Sequence, residues 1–431
     1  MDLSRWRERS LLWARYAALL ALFCLPISKA AVNACLGVMV LLVLLQPGFW
    51  QSLRALWALP VVRASVILLG AIWIGTIYSS GERKDTFDIA RAYRRLLFIP
   101  VLIWLFQGSD LRSRASQFFL AGATVTLAVS CLNYWGWIDF YRVYPGAPGM
   151  SAVVFQHPIA QCIFTVLLVA LAVRMVLRSS LPWQRALFGA LAVLAFVNVC
   201  FMLTQRTGHV CLLVLSVFAL VLWARAQHNA GSGIEWRRII PLAIMWAALC
   251  GAMLYALLIH HGDRRDRDAL VTEIEQAGPS NSGVYYSASE RLLFWRMAED
   301  IFVQHPLIGA GTGSLKVETQ KLIDAHRTTY PWAIRDPHNQ YMFFAAELGV
   351  IGLALFLWFL WTIGRSAGQL SGDAGHILMA VTLVFATDAL FNSALDDSKA
   401  THMLVLFAGI LLAPILRAHP PLNSKSAGSL S

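Results

Sequence analysis

Residues 338–363 read HNQYMFFAAELGVIGLALFLWFLWTI, and this stretch decides the class of fold. A helix needs about 20 predominantly apolar residues to cross the hydrocarbon core of a bilayer, and this stretch meets that length. About twelve such runs follow one another along the chain. They cover residues 11–28, 30–46, 58–78, 92–107, 115–138, 157–177, 183–204, 208–224, 238–260, 338–363, 375–394 and 400–416. The sequence therefore predicts a protein that crosses a membrane many times.

The composition favours the same class. Hydrophobic residues make up 58% of the chain, whereas soluble globular domains stay near half. Only helices and closed barrels satisfy their backbone hydrogen bonds in lipid, and the runs are too long and too evenly apolar for barrel strands. We therefore expect an all-α polytopic protein. The seven cysteines all fall within apolar runs, which predicts neither a disulfide framework nor a C-x-x-C zinc site.

Polar segments divide the chain into four parts. We expect transmembrane helices 1–9 in residues 1–260, one large loop with short helices in 261–337, helices 10–12 in 338–416 and a tail in 417–431. If the N-terminus lies in the cytoplasm, the short segments on that side are rich in arginine, as the positive-inside rule requires. Both termini are therefore predicted to be cytoplasmic, and the large loop is predicted to lie outside.

One short outer segment, which follows the third run and extends into the first turn of the fourth, is also basic. Arg91, Arg94 and Arg95 lie at helical spacing, so at least two of them share a face. Two interpretations stay open for these arginines. They either extend beside lipid headgroups as ordinary anchors, or they bind an anionic lipid substrate on the outer side.

The large loop contains two helix signals and a glycine run. Ser287–Glu290 (SASE) matches a capping box and predicts a helix to about Gln304, and a second helix is expected to begin at Ser314. Between them, Gly309–Gly313 (GAGTG) lacks the lysine of a nucleotide-binding loop, so we interpret it as a tight turn that approaches the membrane. His260–Asp263 (HHGD) has no second group of ligands, and no metal site is predicted.

Three residues on the predicted outer side carry the candidate chemistry. Arg206 lies in the short turn between the seventh and eighth runs, Arg291 lies near the start of the first loop helix, and His338 opens the tenth run. Arginine binds phosphate through several hydrogen bonds, and histidine accepts a proton near neutral pH. The set fits a displacement in which a sugar leaves a diphosphate. Structural alternatives are an interfacial anchor for each arginine and a helix cap for the histidine.

Several short motifs between about residues 200 and 355 resemble the O-antigen ligase family of Gram-negative bacteria. They are Gln205–Gly208 (QRTG), Ser289–Arg291 (SER) with Trp295, His305–Gly311 (HPLIGAG), Pro337–Tyr341 (PHNQY) and Glu347–Leu353 (ELGVIGL). A large loop between the ninth and tenth of twelve runs is a further similarity. The resemblance implies a GT-C-like fold in the bacterial inner membrane, with the loop and the active site facing the periplasm.

The resemblance also implies an activity. Such ligases transfer a polysaccharide from undecaprenyl diphosphate to the lipid A–core of lipopolysaccharide, without metal, nucleotide or other cofactor. The expected partners are therefore undecaprenyl diphosphate-linked O-antigen, the lipid A–core oligosaccharide and membrane lipids, and no nucleic acid. The family's arginines match Arg206 and Arg291, and its essential histidine matches His338, which would act as the base.

Two carboxylates are candidates for orienting that histidine. Glu347 lies nine residues further along the same predicted helix, so it points away from His338 and lies roughly 13 Å deeper. We therefore expect a structural role for Glu347. Asp388 lies in the eleventh run, where an unpaired carboxylate is costly, and it is predicted either to support substrate binding at the active site or to form a buried packing pair.

Two other functions stay open. An O-antigen polymerase or a protein O-oligosaccharyltransferase would share the donor and differ in the acceptor. The short segment after the last run, without a further soluble region, favours the ligase over the protein transferase. A transporter of lipid-linked sugars is expected to have inverted repeats and ionisable residues at mid-membrane, whereas the charged candidates in this sequence gather at the outer surface.

Overall fold

The computed structural model describes residues 3–140, 151–203, 205–229, 251 and 287–418. Within these ranges the chain is helical and has no strand, which confirms the all-α class for this part of the protein. The α-helices, numbered in chain order, are α1 (Leu3–Cys24), α2 (Lys29–Leu44), α3 (Pro47–Gln51), α4 (Leu53–Ala58), α5 (Pro60–Tyr78), α6 (Arg83–Ala92), α7 (Phe98–Phe106), α8 (Ala115–Tyr134), α9 (Pro158–Arg178), α10 (Pro182–Val197), α11 (Arg206–Asn229), α12 (Ser287–Gln304), α13 (Leu315–Asp324), α14 (Gln340–Ala367), α15 (Asp373–Asp388), α16 (Ser398–Leu411) and α17 (Ala413–Ala418).

Six of the described helical segments are long and apolar enough to cross a membrane. They are Pro60–Tyr78, Asp110–Tyr134, Pro158–Arg178, Pro182–Met202, Arg206–His228 and Gln340–Ala367. The helices α2 and α16 are apolar but shorter. The figure of about twelve spans stays a prediction. Nearly all of the ninth run (238–260), the HHGD cluster and the first part of the large loop (261–286) lie outside the described residues.

The predicted fourth span, 92–107, is a composite. A 3₁₀ turn at Tyr93–Leu97 leads directly into the nine-residue helix α7. Pro100 has no backbone N–H, so it cannot donate the α-helical hydrogen bond to the carbonyl of Leu96. This missing bond explains why the α-helical ladder begins only after the basic residues Arg94 and Arg95.

The described residues divide into two compact units, and the first consists of Met1–Phe119, Ala277–Phe385 and Ala389–Ser431. In it, α1 packs against α2, α5 against α14, and α7 against α16. Lipid is as apolar as these side chains, so close packing rather than exclusion of water holds such helices together. Gly409 illustrates the packing, because a Cβ atom there would lie 2.5 Å from the Cβ of Leu102.

The second unit consists of Leu120–Gln276 and Ala386–Asp388. In it, α9 packs against both α10 and α11. A buried polar network joins its elements: Asn198 donates a hydrogen bond to Ser130 Oγ at 2.9 Å, and Gln161 donates one to the carbonyl of Ala152 at 2.8 Å. Buried amides need such partners in an apolar surrounding, so this network fixes how these helices align.

Helix α14 is broken at Gly349, although the sequence predicts one continuous apolar run. Gly349 has φ 66° and ψ −162°, a conformation open in practice only to glycine. The break separates the N–H groups of Val350 and Ile351 from their usual carbonyl acceptors at Ala346 and Glu347. All four groups find partners in one neighbouring segment, residues 306–311.

Segment 306–311 replaces the missing turn of helix on both sides of the break. Ala310 and Gly311 donate to the carbonyls of Ala346 and Glu347 at 3.0 and 2.8 Å. Val350 and Ile351 donate to the carbonyls of Pro306 and Leu307 at 2.8 and 3.3 Å. The end of the large loop therefore supplies backbone hydrogen-bond partners to α14, the membrane helix that begins two residues after His338.

Candidate functional site

His338 lies just before α14 and is not its cap. The N-cap is Asn339, whose side chain accepts hydrogen bonds from the N–H groups of Tyr341 and Met342. His338 itself has φ 52°, the left-handed region that non-glycine residues adopt rarely. The capping alternative raised for His338 from the sequence is therefore wrong, and the imidazole is available for another role.

The carboxylate of Asp336 contacts both the backbone and the ring of His338. Its Oδ1 accepts the N–H of His338 at 2.7 Å, and its Oδ2 lies 3.6 Å from the ring Nδ1. The hydroxyl of Ser393, in the turn after α15, donates to the same Oδ1. The His338 side chain is 45% exposed, so a polar substrate can reach it.

Helix α12 follows the range predicted from its capping box and packs against this region. Phe294 stacks on the His338 ring with centroids 6.2 Å apart, and Trp295 donates from Nε1 to the carbonyl of Pro337 at 3.1 Å. Arg291 lies three and four residues before them, hence on the same side of α12, and it is half-buried. Arg291 and His338 therefore belong to the same unit, with Arg291 about one helical turn before the residues of α12 that contact His338 and Pro337.

The glycine run 309–313 forms the predicted close approach to the membrane helices. Thr312 donates from its N–H to the carbonyl of Gly75 at 3.1 Å and from its hydroxyl to the carbonyl of Ile72 at 2.7 Å, both in α5. Gly313 donates its N–H to Glu347 Oε1 at 2.8 Å. Glu347 is buried and its carboxylate accepts from this turn, which agrees with the structural role expected for it.

A pocket of about 280 Å³ opens beside Asp336. Its wall includes the carboxylates of Asp336 and Asp396, the cations Lys316 and Arg335, and the ring of Phe343. Burial raises the pKa of Asp396 to about 6, and the negative charge of Asp336 acts in the same direction. A carboxyl group with that pKa donates as well as accepts hydrogen bonds at mildly acidic pH, which suits a ligand rich in hydroxyl groups.

The three arginines singled out in the short outer segment, Arg91, Arg94 and Arg95, have different surroundings. Arg91 forms an exposed ion pair with Asp88. Arg95 donates from Nη1 to the carbonyl of Asp396 at 2.9 Å and is largely covered. Arg94 is exposed and lines an apolar groove of about 770 Å³ together with Arg54. Of the three, Arg94 is the one that lines this apolar groove.

Arg206 and Asp388 belong to the second unit. Arg206 is the first residue of α11 and is exposed, and Asp388 is the last residue of α15 and is buried. Their relation to His338, which lies in the first unit, stays a prediction. The sequence predicted Arg206 in a turn and Asp388 within the eleventh apolar run, whereas the structure has both residues at helix ends.

Two residues of the site were missed from the sequence, Asp336 and Ser393. The sequence favours Glu347 and Asp388, which lie deeper in the predicted helices, as carboxylate candidates, although Asp336 is only two residues from His338. The available signal was the Asp-Pro-His order, because a carboxylate two residues before a backbone N–H is placed to accept from it in an Asx turn. No sequence signal pointed to Ser393, since it lies 57 residues after Asp336.

Comparison with known proteins agrees with the motifs. The family model described as O-antigen ligase matches residues 190–357, a range that contains Arg206, Arg291 and His338. No curated protein gives a significant match to the chain. Several helices are long and apolar enough to cross a membrane, as a membrane-bound family of this kind requires. The match over residues 190–357 supports the resemblance of this part of the chain to the O-antigen ligase family.

Proposed function

We propose that the protein is an O-antigen ligase of the bacterial inner membrane. It transfers a polysaccharide from undecaprenyl diphosphate to a hydroxyl group of the lipid A–core oligosaccharide and so completes lipopolysaccharide. The reaction takes place on the periplasmic side. The single observation that supports this best is the family match over the range that holds both arginines and His338.

In this proposal His338 is the general base. It takes the proton of the attacking acceptor hydroxyl, whose oxygen forms a bond to the anomeric carbon. The bond between that carbon and the diphosphate oxygen breaks, and the diphosphate leaves with both electrons. Arg206 and Arg291 neutralise the charge that develops on the diphosphate. Direct attack from the opposite face inverts the anomeric configuration.

The surroundings of His338 support the role of a base. Its ring is half exposed, a carboxylate lies beside Nδ1, and its flanking helix is capped by a different residue. The neighbouring pocket offers carboxylates, two cations and an aromatic wall, the groups that hold sugar hydroxyls. Both features agree with a site at which two saccharides meet.

The activity is tested with purified protein in nanodiscs. Undecaprenyl diphosphate-linked O-antigen and rough lipopolysaccharide are added without nucleotide or metal, and the products are separated by gel electrophoresis. A ladder on lipopolysaccharide supports the ligase. Growth of the lipid-linked chain alone identifies a polymerase, transfer to a protein identifies a protein transferase, and no transfer to any acceptor favours the transporter.

We predict that excess chelator leaves the rate unchanged. In the proposed scheme a base and two arginines supply the proton transfer and the charge stabilisation, so no divalent ion is required. Initial rates are compared with and without chelator on the same preparation. A loss of activity that a divalent cation restores contradicts the metal-free scheme and leaves the family assignment intact.

We also predict that Arg94→Gln raises the apparent KM for the lipid-linked donor about 3–10-fold, as expected for losing one exposed charge contact. The reason is that Arg94 lines the apolar groove, which in this proposal takes the isoprenoid chain of the donor. Arg91→Gln is the matched control, since Arg91 is already paired with Asp88 on the surface. An unchanged donor dependence in the triple variant of Arg91, Arg94 and Arg95 identifies all three as anchors.

A further inference from the structure

Two non-glycine residues among those described adopt a left-handed backbone, and both are histidines: His326 and His338. Each follows an aspartate by two residues. At His326 the ring Nδ1 faces the backbone carbonyl of Asp324 at 3.1 Å. At His338 the ring instead faces the carboxylate of Asp336. The same local spacing thus gives a simple exposed turn in one place and a carboxylate–imidazole pair in the other.

The Asp336 carboxylate is itself held in place. Oδ1 accepts from the N–H of His338 and from the Ser393 hydroxyl, which leaves Oδ2 directed at the imidazole. The distance of 3.6 Å from Oδ2 to Nδ1 exceeds a hydrogen bond. Hydrogen bonds of catalytic groups are often long before substrate binds and shorten in the complex.

We propose that Asp336 is the positioning residue for His338, with Ser393 fixing its carboxylate. This inference rests on the proposed function. Asp336 accepts the Nδ1–H of the neutral imidazole and thereby leaves the lone pair on Nε2 to take the proton of the acceptor hydroxyl. When His338 becomes positively charged, the same carboxylate stabilises it. The Asp-Pro-His order therefore supplies both the base and the group that selects its tautomer.

Other described carboxylates near this region are engaged differently. Glu347 accepts from Gly313, and Asp85 lies 3.2 Å from Arg335. Asp396 lines the same pocket as Asp336, and the carbonyl of Asp396, not its carboxyl group, accepts from Arg95. Phe294 covers one face of the His338 ring. Within the described residues, Asp336 is the carboxylate for which an ion-pair distance to the His338 ring is observed.

The deciding variant is Asp336→Asn. Asparagine keeps an oxygen that accepts from the His338 N–H and from Ser393, so the backbone turn is preserved. Its amide N–H, however, faces Nδ1 and favours the tautomer that has no lone pair on Nε2. We expect kcat to fall by about 10²–10⁴-fold, up to the loss found when the aspartate that orients a base histidine becomes asparagine, while the KM values for donor and acceptor stay within about twofold.

The matched control is Asp324→Asn, which makes the same change two residues before the other left-handed histidine. It is expected to leave kcat and KM unchanged. Asp336→Glu, which restores a carboxylate, is expected to recover part of the lost kcat. Ser393→Ala removes a donor from the carboxylate and is expected to lower kcat by a smaller factor, again at constant KM.

Three results overturn the proposal. One is wild-type kcat in Asp336→Asn. Another is a loss of kcat in Asp336→Asn that Asp336→Glu does not recover, when both variants also have a lower melting temperature. That combination identifies a structural role for Asp336. If Asp336→Asn does not fold, Ser393→Ala decides, and wild-type kcat there contradicts the proposal. Failure of the proposed function is distinct, because the wild-type protein itself then forms no lipopolysaccharide ladder.

Discussion

His338→Ala is expected to lower the rate of glycosyl transfer by about 10²–10⁴-fold, the range for one general acid–base group. The variant should still insert and fold, because the His338 side chain is half exposed and α14 is capped by Asn339. The rate is measured as ladder formation on lipopolysaccharide in nanodiscs, at saturating donor and acceptor, with folding checked by thermal denaturation.

The control for this variant is His326→Ala. His326 is an exposed histidine with the same left-handed backbone, so the change in backbone preference is matched and the catalytic group is not touched. It should keep the wild-type rate. A His338→Ala protein that is folded and fully active removes His338 from the chemistry, whatever the reaction proves to be.

Gly349→Ala is expected to have the largest effect on stability. Its φ and ψ are strained for any side chain, and a Cβ atom there would lie 2.4 Å from the carbonyl carbon and oxygen of Leu307. These neighbours are backbone atoms of the segment that bridges the helix break, so they cannot move aside cheaply. We expect a loss of more than about 3 kcal/mol, seen as a lower melting temperature and less monodisperse protein.

Gly364→Ala, in the same helix, is the matched control. The nearest atom to a Cβ there is in the flexible side chain of Met379, at 3.9 Å. This substitution should be neutral or stabilising, because alanine favours a helix over glycine by about 1 kcal/mol. Equal melting temperatures for Gly349→Ala and Gly364→Ala contradict the account given for the break in α14.

The features that could be predicted from the sequence are those that depend on a short, local pattern of residues. The apolar runs predicted the helical membrane class, and the SASE motif predicted the start of α12. The glycine run predicted the close approach of the loop to the membrane helices. Each follows from short-range chemistry: the length of an apolar run, a capping pair, or glycine's freedom at positive φ. The motifs around Arg206, Arg291 and His338 predicted a resemblance to the O-antigen ligase family, and the family model that matches residues 190–357 supports it.

Other features depend on partners distant in sequence. The break at Gly349 requires segment 306–311 beside it, and a glycine inside an apolar run does not reveal that neighbour. Arg95 has the same pattern as Arg94 in sequence, but it bonds to the carbonyl of Asp396, 301 residues away. Asp336 is close to His338 in sequence but lies in the turn before the helix, where helical periodicity does not predict which side chains meet.

The hydrogen bonds between segment 306–311 and the broken helix α14 constrain the order in which the protein is synthesised and folds. The chain is synthesised from its N-terminus, so residues 306–311 exist before the carbonyls of Ala346 and Glu347 and the N–H groups of Val350 and Ile351. Until α14 is inserted, that segment lacks its final backbone partners. The backbone hydrogen bonds between segment 306–311 and α14 therefore form only after α14 has been synthesised. A chain that stops before residue 340 leaves the segment open to aggregation and proteolysis.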